Sequence, residues 1–239
     1  MSEITFRSDV TVDLVRSQAS DSDVIFAARV STQGEQSKDA VGTETSSRDR
    51  GLISYLMRDR HGSPFEHNSF TFYVEAPIFV FREFMRHRIA SYNEESGRYR
   101  EMRPVFYVPG HDRKLIQKGK PGAYDFYEGT EDQHEVVQRA FRTQCESAFA
   151  AYQEMLEAGV AREVARGVLP LTLFSSMYVT MNARSIMNFL SLRTTREGTH
   201  FPSFPQREIE MVGEKMEEFF AEKMPLTYDA FNAAGRVAP

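Results

Sequence analysis

The sequence predicts an α+β fold, with helices in the majority and a small, mostly antiparallel sheet. Three observations carry this. Apolar residues recur at steps of three and four over several long windows. Two-residue alternation is confined to a few short ones. The strands do not alternate regularly with helices, as a doubly wound parallel sheet requires. At 239 residues, with 41% hydrophobic and 26% charged, the chain can bury a sizeable core, and one domain over 1–239 is expected.

Residues 4–18 mix β-branched and charged residues, as a strand or hairpin near the surface would. "SDSDVIFAARVS" then places serines and aspartates before an apolar stripe and reads as a capped helix. "SSRDRGLISYLMRDR" is a second helix, apolar at Leu52, Tyr55 and Leu56, stopped by "HGSP". "NSFTFYVEAP" is the clearest strand, with Phe70, Phe72 and Val74 on one face and Thr71, Tyr73 and Glu75 on the other. Pro77 suits a first helical turn, so "PIFVFREFMRHR" is expected as a helix with Glu83, Arg86 and His87 sharing one face near its end. The segment around 110–130, rich in glycine and lysine without a period, reads as a surface excursion. A long amphipathic helix closed by Gly159 follows, then a short helix in "VAREVARGVLP" and a strand in "LTLFSSMYVTM". "NARSIMNFLSLR" reads as a helix capped by Asn182, and "QREIEMVGEKMEEFFAEKM" as the last long one.

A formal net charge of -5 argues against a nonspecific grip on nucleic-acid backbone. The start, MSEITFRSDV, has no basic-then-apolar leader pattern, and no stretch is long and apolar enough to span a bilayer, so a cytoplasmic protein without membrane contact is expected. The single cysteine, Cys145, cannot form an internal disulfide; its neighbours at steps of three and four, Val137, Phe141, Ala148 and Tyr152, place it on a core face.

One local exception to the acidic balance stands out. "RHRIASYNEESGRYR", residues 86–100, begins a run to 103 with five arginines against three glutamates. Guanidinium forks match phosphate and carboxylate oxygens two at a time, so the composition suggests a small oxyanion; a solvated, charge-mixed loop is the plain alternative. Two further readings compete: a nucleotide- or RNA-binding module in which Tyr92 and Tyr99 stack on bases, and a structural salt network between subunits. The glutamates inside the cluster weigh against the former, and the latter leaves Ser96, Gly97 and Asn188 without a task.

Arg86, His87 and Arg88, then seven residues, then Ser96, Gly97, Arg98 and Tyr99, resemble the signature R-H-R-x7-S of the flavin-dependent thymidylate synthases. "HGSPFEH" before "FTFYVEAPIFV", "REVARGVLPL" and "NARSIMNFLSLR" are similar to family segments in the family's order. The resemblance implies an α+β fold peculiar to that family and methylation of dUMP to dTMP. It also implies 5,10-methylenetetrahydrofolate as carbon donor, FAD reduced by NADPH as hydride source, and a homotetramer with active sites shared between subunits. Carried over position by position, the FAD contacts fall on Ser63, Arg86, His87, Arg88, Glu94, Asn182, Arg184 and Asn188. The dUMP contacts fall on Glu83, Arg86, Glu94, Glu95, Ser96, Gly97, Arg98, Arg166 and Arg193. No metal is implied.

Those types suit the ligands, since arginine forks hold pyrophosphate and a hydroxyl, a backbone amide and a guanidinium in succession hold a dianionic phosphate. Alternatives stay open beside them: Asn182 as a helix cap, Arg166 as half of a surface pair with Glu163, Arg193 as a mere partner of a helix dipole, and His61 and His67 as loop histidines beside a proline turn. The family reading gives Arg193 the central chemical task, favouring the pyrimidine ionised at nitrogen 3. Two departures from the family pattern are visible: Glu83 stands where glutamine is usual, and "TTREGTHFPSFPQREI" is longer than the usual link after the pyrimidine arginine, which bears on folate access and on His200.

Overall fold

The computed structural model describes residues 3–42 and 44–239. In chain order the elements are β1 (Thr5–Arg7), β2 (Thr11–Gln18), α1 (Asp21–Gln33), α2 (Ser47–Arg58), β3 (Ser69–Pro77), α3 (Ile78–Phe84), β4 (Ser91–Glu94) and β5 (Val105–Tyr107). They continue with β6 (Ile116–Lys120), β7 (Ala123–Tyr127), α4 (Glu131–Glu157), α5 (Arg162–Ala165), β8 (Phe174–Met181), α6 (Ala183–Arg193), α7 (Arg207–Lys223) and α8 (Pro225–Ala233). The chain divides into two compact units, each assembled from three separate segments. The first takes the residues up to Val10, Glu75–Phe84 and Glu94–Met177; the second takes Thr11–Val74, Met85–Asn93 and Tyr178–Pro239.

In the first unit β1 does not turn back on β2. It pairs in parallel with β5, Phe6 opposite Phe106, because the three intervening residues, Ser8 to Val10, offer none of the glycine or asparagine that a tight hairpin turn demands. α4 starts from a reciprocal cap between Thr130 and Gln133 and buries Cys145, Phe149 and Tyr152 against Met102, Phe106, Ala165 and Leu173. The Tyr152 hydroxyl accepts from the Met102 amide at 3.1 Å, so the largest buried ring leaves no orphan polar atom. Glu75, on β3, accepts from Arg7 at 2.6 Å and Arg103 at 2.5 Å. Burial pushes its carboxyl up, but the two guanidinium bonds outweigh that and hold it below the usual range. The excursion near 110–130 is an ordered hairpin, β6 against β7, closed by Pro121 and Gly122 with Gly122 at φ 81°, the proline-then-left-handed pattern of a type II turn. It stays at the surface, as expected.

The four-stranded sheet has the order β2-β3-β8-β4. Phe70, Phe72 and Val74 are all buried, as their alternation predicts, and Phe70 meets Phe220 of α7 edge-on at 6.1 Å. On the opposite face Thr71 bonds Thr180 at 2.9 Å and Tyr73 meets Tyr178, so β3 and β8 run antiparallel. α1 and α2 each begin with a reciprocal serine–aspartate cap, Ser20 with Asp23 and Ser46 with Asp49. α8, which the sequence reading passed over, opens at Pro225, and its first-turn donors are capped from afar. The Asp21 carboxylate, 5% exposed, accepts from Leu226 N, Thr227 N and Thr227 Oγ1 at 2.7–2.9 Å.

One expectation fails at the most informative place. The helix expected to run through Arg86, His87 and Arg88 stops at Phe84, so Glu83, Arg86 and His87 do not stack on one helical face. Val80, Phe81 and Phe84 already exhaust its apolar side; Met85 and Ile89, 43% and 72% exposed, give no further anchor. The chain turns at Met85 and Arg86 and enters β4, a strand not anticipated.

Candidate active site

Within the second unit the His87 ring lies against the edge of Phe189, 4.8 Å between centroids. Its Nε2 accepts from Arg193 Nε at 3.1 Å. Arg193 is the last residue of α6, so one turn of helix brings it to a motif 106 positions earlier in the chain. Burial first, and the Arg193 charge second, push His87 down to about 4, so at neutral pH the imidazole is uncharged, carries its proton on Nδ1 and is a proper acceptor. Tyr92 donates from its hydroxyl to the His87 carbonyl at 2.6 Å, and burial pushes that phenol up to about 12.

The flavin set also lies in this unit, except Glu94. Ser63 opens a short 3-10 turn directly after Gly62, where a Cβ would stand 2.6 Å from the Arg184 guanidinium. Glycine is therefore required for Arg184 to pack there. Arg184 donates to Glu66 at 2.5 Å and to the main-chain oxygen of Pro239 at 2.6 Å. Asn182 is a cap after all: its Oδ1 accepts from Ser185 N at 2.9 Å. Asn188, exposed, donates to the Arg184 carbonyl, and Arg86 and Arg88 are exposed. His61 and His67 rest against Tyr55 and Phe26.

The first unit carries the rest of the nucleotide set. Ser96 opens a turn in which its carbonyl accepts from Tyr99 N at 3.0 Å and its Oγ from Arg98 N at 3.3 Å. Gly97 is buried, and a Cβ there would meet Met102 Sδ at 2.9 Å and Arg166 Cδ at 3.1 Å. Close packing, with no special backbone angle, favours glycine here, and it brings Arg166 against the turn. Arg98 pairs with Glu163 at 2.9 Å, so the surface partner considered for Arg166 belongs to Arg98 instead. Glu94 accepts from Ser175 Oγ at 2.7 Å and Glu95 from Ser176 N at 3.0 Å, tying both to β8. Burial raises the Glu94 carboxyl above its usual range; the Ser175 bond and Arg166 oppose this and Glu95 adds to it. Glu83 is half-buried on α3. Three arginines of the 86–103 run, Arg98, Arg100 and Arg103, face carboxylates, so the run is no open basic strip of the kind a nucleic-acid backbone needs. The Ser175 and Glu163 partners were not legible in the sequence, because nothing local marks them.

A family model described as "Thymidylate synthase complementing protein" matches residues 13–226. The chain belongs to this family. A flavin-dependent thymidylate synthase of Streptomyces avermitilis is 67% identical over 98% of this chain and 96% of its own length. One of Tropheryma whipplei is 58% identical over 98% and 97%. Among solved structures, a UMP/dUMP methylase PolB from Streptomyces cacaoi bound with 5-Br dUMP superposes with a TM-score of 0.93, at 55% identity, covering 99% of this chain and all of that one. For a flavin-dependent thymidylate synthase the donor set fits. Three guanidiniums, Arg86, Arg88 and Arg184, suit a pyrophosphate, and a side chain at Gly62 or Gly97 would press on Arg184 or Arg166 respectively.

Proposed function

We propose that this flavin-dependent thymidylate synthase converts dUMP to dTMP, with 5,10-methylenetetrahydrofolate as carbon donor and NADPH as reductant, in a cytoplasmic homotetramer whose sites are shared between subunits. The observation that carries the reading is the Arg193 Nε to His87 Nε2 hydrogen bond of 3.1 Å, which joins the two sequence motifs that resemble the family's ligand-binding segments.

Arg193 acts on the pyrimidine. A guanidinium held at its Nε by a neutral imidazole is fixed in orientation, and its charge favours the base ionised at nitrogen 3, which makes carbon 5 more nucleophilic. Ser96, Gly97 and Arg98, with Arg166, hold the phosphate. The Arg98–Glu163 pair is exposed on both sides and worth about 0–1 kcal/mol, so a dianionic phosphate displaces Glu163 at little cost. Glu94 and Glu95, fixed to β8, with Glu83 and Arg86, orient sugar and base as acceptors and a donor. Ser63, Arg86, His87, Arg88, Glu94, Asn182, Arg184 and Asn188 hold FAD, which when reduced supplies the hydride. Cys145 is 1% exposed and burial pushes its thiol up, so it is no candidate nucleophile.

The experiment is tritium release from carbon 5 of labelled dUMP, beside the flavin absorbance of the purified protein and its bleaching by NADPH. UMP is assayed in parallel, since the Streptomyces cacaoi neighbour is a UMP/dUMP methylase. A colourless protein that takes up no added FAD and releases no tritium would sink the proposal.

A further inference from the structure

We propose that Arg236, near the end of the chain and remote in sequence from every motif of the site, is a positioning residue for Arg193; this rests on the reading of Arg193 given above. The link between them is Thr194, which is fully buried and ends α6 in extended conformation. Its Oγ1 donates to the Leu190 carbonyl at 2.7 Å and accepts from Arg236 Nη2 at 2.9 Å, and its carbonyl accepts from Ser203 Oγ at 2.6 Å. On its remaining side stands Gly213 of α7, where a Cβ would lie 2.8 Å from Thr194 Cγ2 and 3.2 Å from the Arg193 carbonyl oxygen. The backbone that carries the Arg193 side chain is thus enclosed by contacts from three elements.

Arg236 itself is fixed at some cost. It is 4% exposed and adopts φ 58°, a left-handed conformation that a side chain disfavours. Its Nη1 donates to Glu217 Oε1 at 2.6 Å and Asn232 Oδ1 at 2.7 Å, and its guanidinium lies over the Phe231 ring at 4.9 Å. Glu217 also accepts from Arg196 Nη2 at 2.8 Å and the Tyr228 hydroxyl at 3.0 Å, so the same carboxylate anchors the long loop after Arg193. A buried ion pair is a poor source of stability compared with apolar packing of the same volume. A left-handed backbone that holds a buried guanidinium against Glu217, Asn232 and the Thr194 hydroxyl together is better explained by the position it enforces. The loop after Arg193 is, on this account, part of the scaffold through which the carboxy-terminal segment aims the arginine.

The test uses the holoenzyme with Thr194→Val, which deletes Oγ1 at nearly constant volume, Thr194→Ser, which keeps it, and Arg236→Met. Tritium release at saturating dUMP is expected to fall between about tenfold and hundredfold in Thr194→Val and Arg236→Met and to stay near the parent in Thr194→Ser. Bound FAD should not change. A purely structural role would not move a second readout, the ultraviolet difference titration of bound dUMP: ionisation at nitrogen 3 should shift to higher pH in the two impaired variants. If Arg236→Met does not fold, Thr194→Val decides. A folded Thr194→Val with parent-like rate and ionisation, beside an inactive Arg193→Ala, overturns this inference alone. Full activity in Arg193→Ala overturns the reading of Arg193 and the inference with it.

Discussion

His87 shows how the surroundings of a side chain set its charge. It stands between two arginines in the chain, and buried beside Arg193 it is neutral. An unfolded histidine takes up its proton near 6.5 and folded His87 near 4, so between those values the unfolded chain binds more protons. The contribution is intact above about 6.5 and is lost as pH falls through about 4. We expect the Tm of the parent to drop more steeply over that window than that of His87→Gln, which keeps an acceptor and does not titrate; parallel curves by thermal unfolding would refute the neutral imidazole. Arg193→Ala should abolish dTMP formation, a loss of about a hundredfold or more, while retaining FAD, and Arg193→Lys should be nearly as poor because a point charge lacks the fork. Equal loss of flavin in both would mean the residue is misplaced. Cys145→Ala should keep turnover within about tenfold, and a Cys145–nucleotide adduct in mass spectra would contradict that. The pairing of His87 with Arg193 was beyond sequence reasoning, since it joins a turn to a helix end 106 residues away.

Elements were legible where each supplies its own periodicity. β3 alternates because one face is buried, and α4 carries a full stripe with a cap at one end and Gly159, at φ 80°, at the other. β4, the β6–β7 hairpin and α8 were not legible, and the reasons differ. β4 is only four residues long and borrows its order from β8; β6 and β7 bury neither face, so no alternation is written into them; α8 depends on a distant acid for its first turn. That dependence is testable. Asp21→Ala leaves two amides and a hydroxyl without their acceptor and should cost about 2–3 kcal/mol, a fall in Tm of about 5–10 °C. A change below about 1 °C in calorimetry would show that α8 is capped some other way.

At the scale of the whole molecule the proposed flavin ligands gather in one compact unit and most of the proposed nucleotide ligands in the other, although each unit is drawn from three separate stretches of chain. Sites shared between subunits predict that mixing two inactive variants, Ser63→Tyr and Arg193→Ala, restores part of the activity after subunit exchange. Demonstrated exchange without recovery would count against sharing. The interleaving was not legible in the sequence, because no glycine- or serine-rich linker marks where one unit hands the chain to the other. It also means that neither unit is complete early in synthesis. Asp21 emerges from the ribosome 205 residues before Leu226, which at 5–20 residues per second is a wait of about 10–40 s. Throughout that interval the acid that will be buried beneath α8 stands in water, and the apolar faces of β3 and α1 lack α7 and α8. A nascent chain of this kind exposes apolar surface of the sort that holding chaperones cover until α7 and α8 arrive.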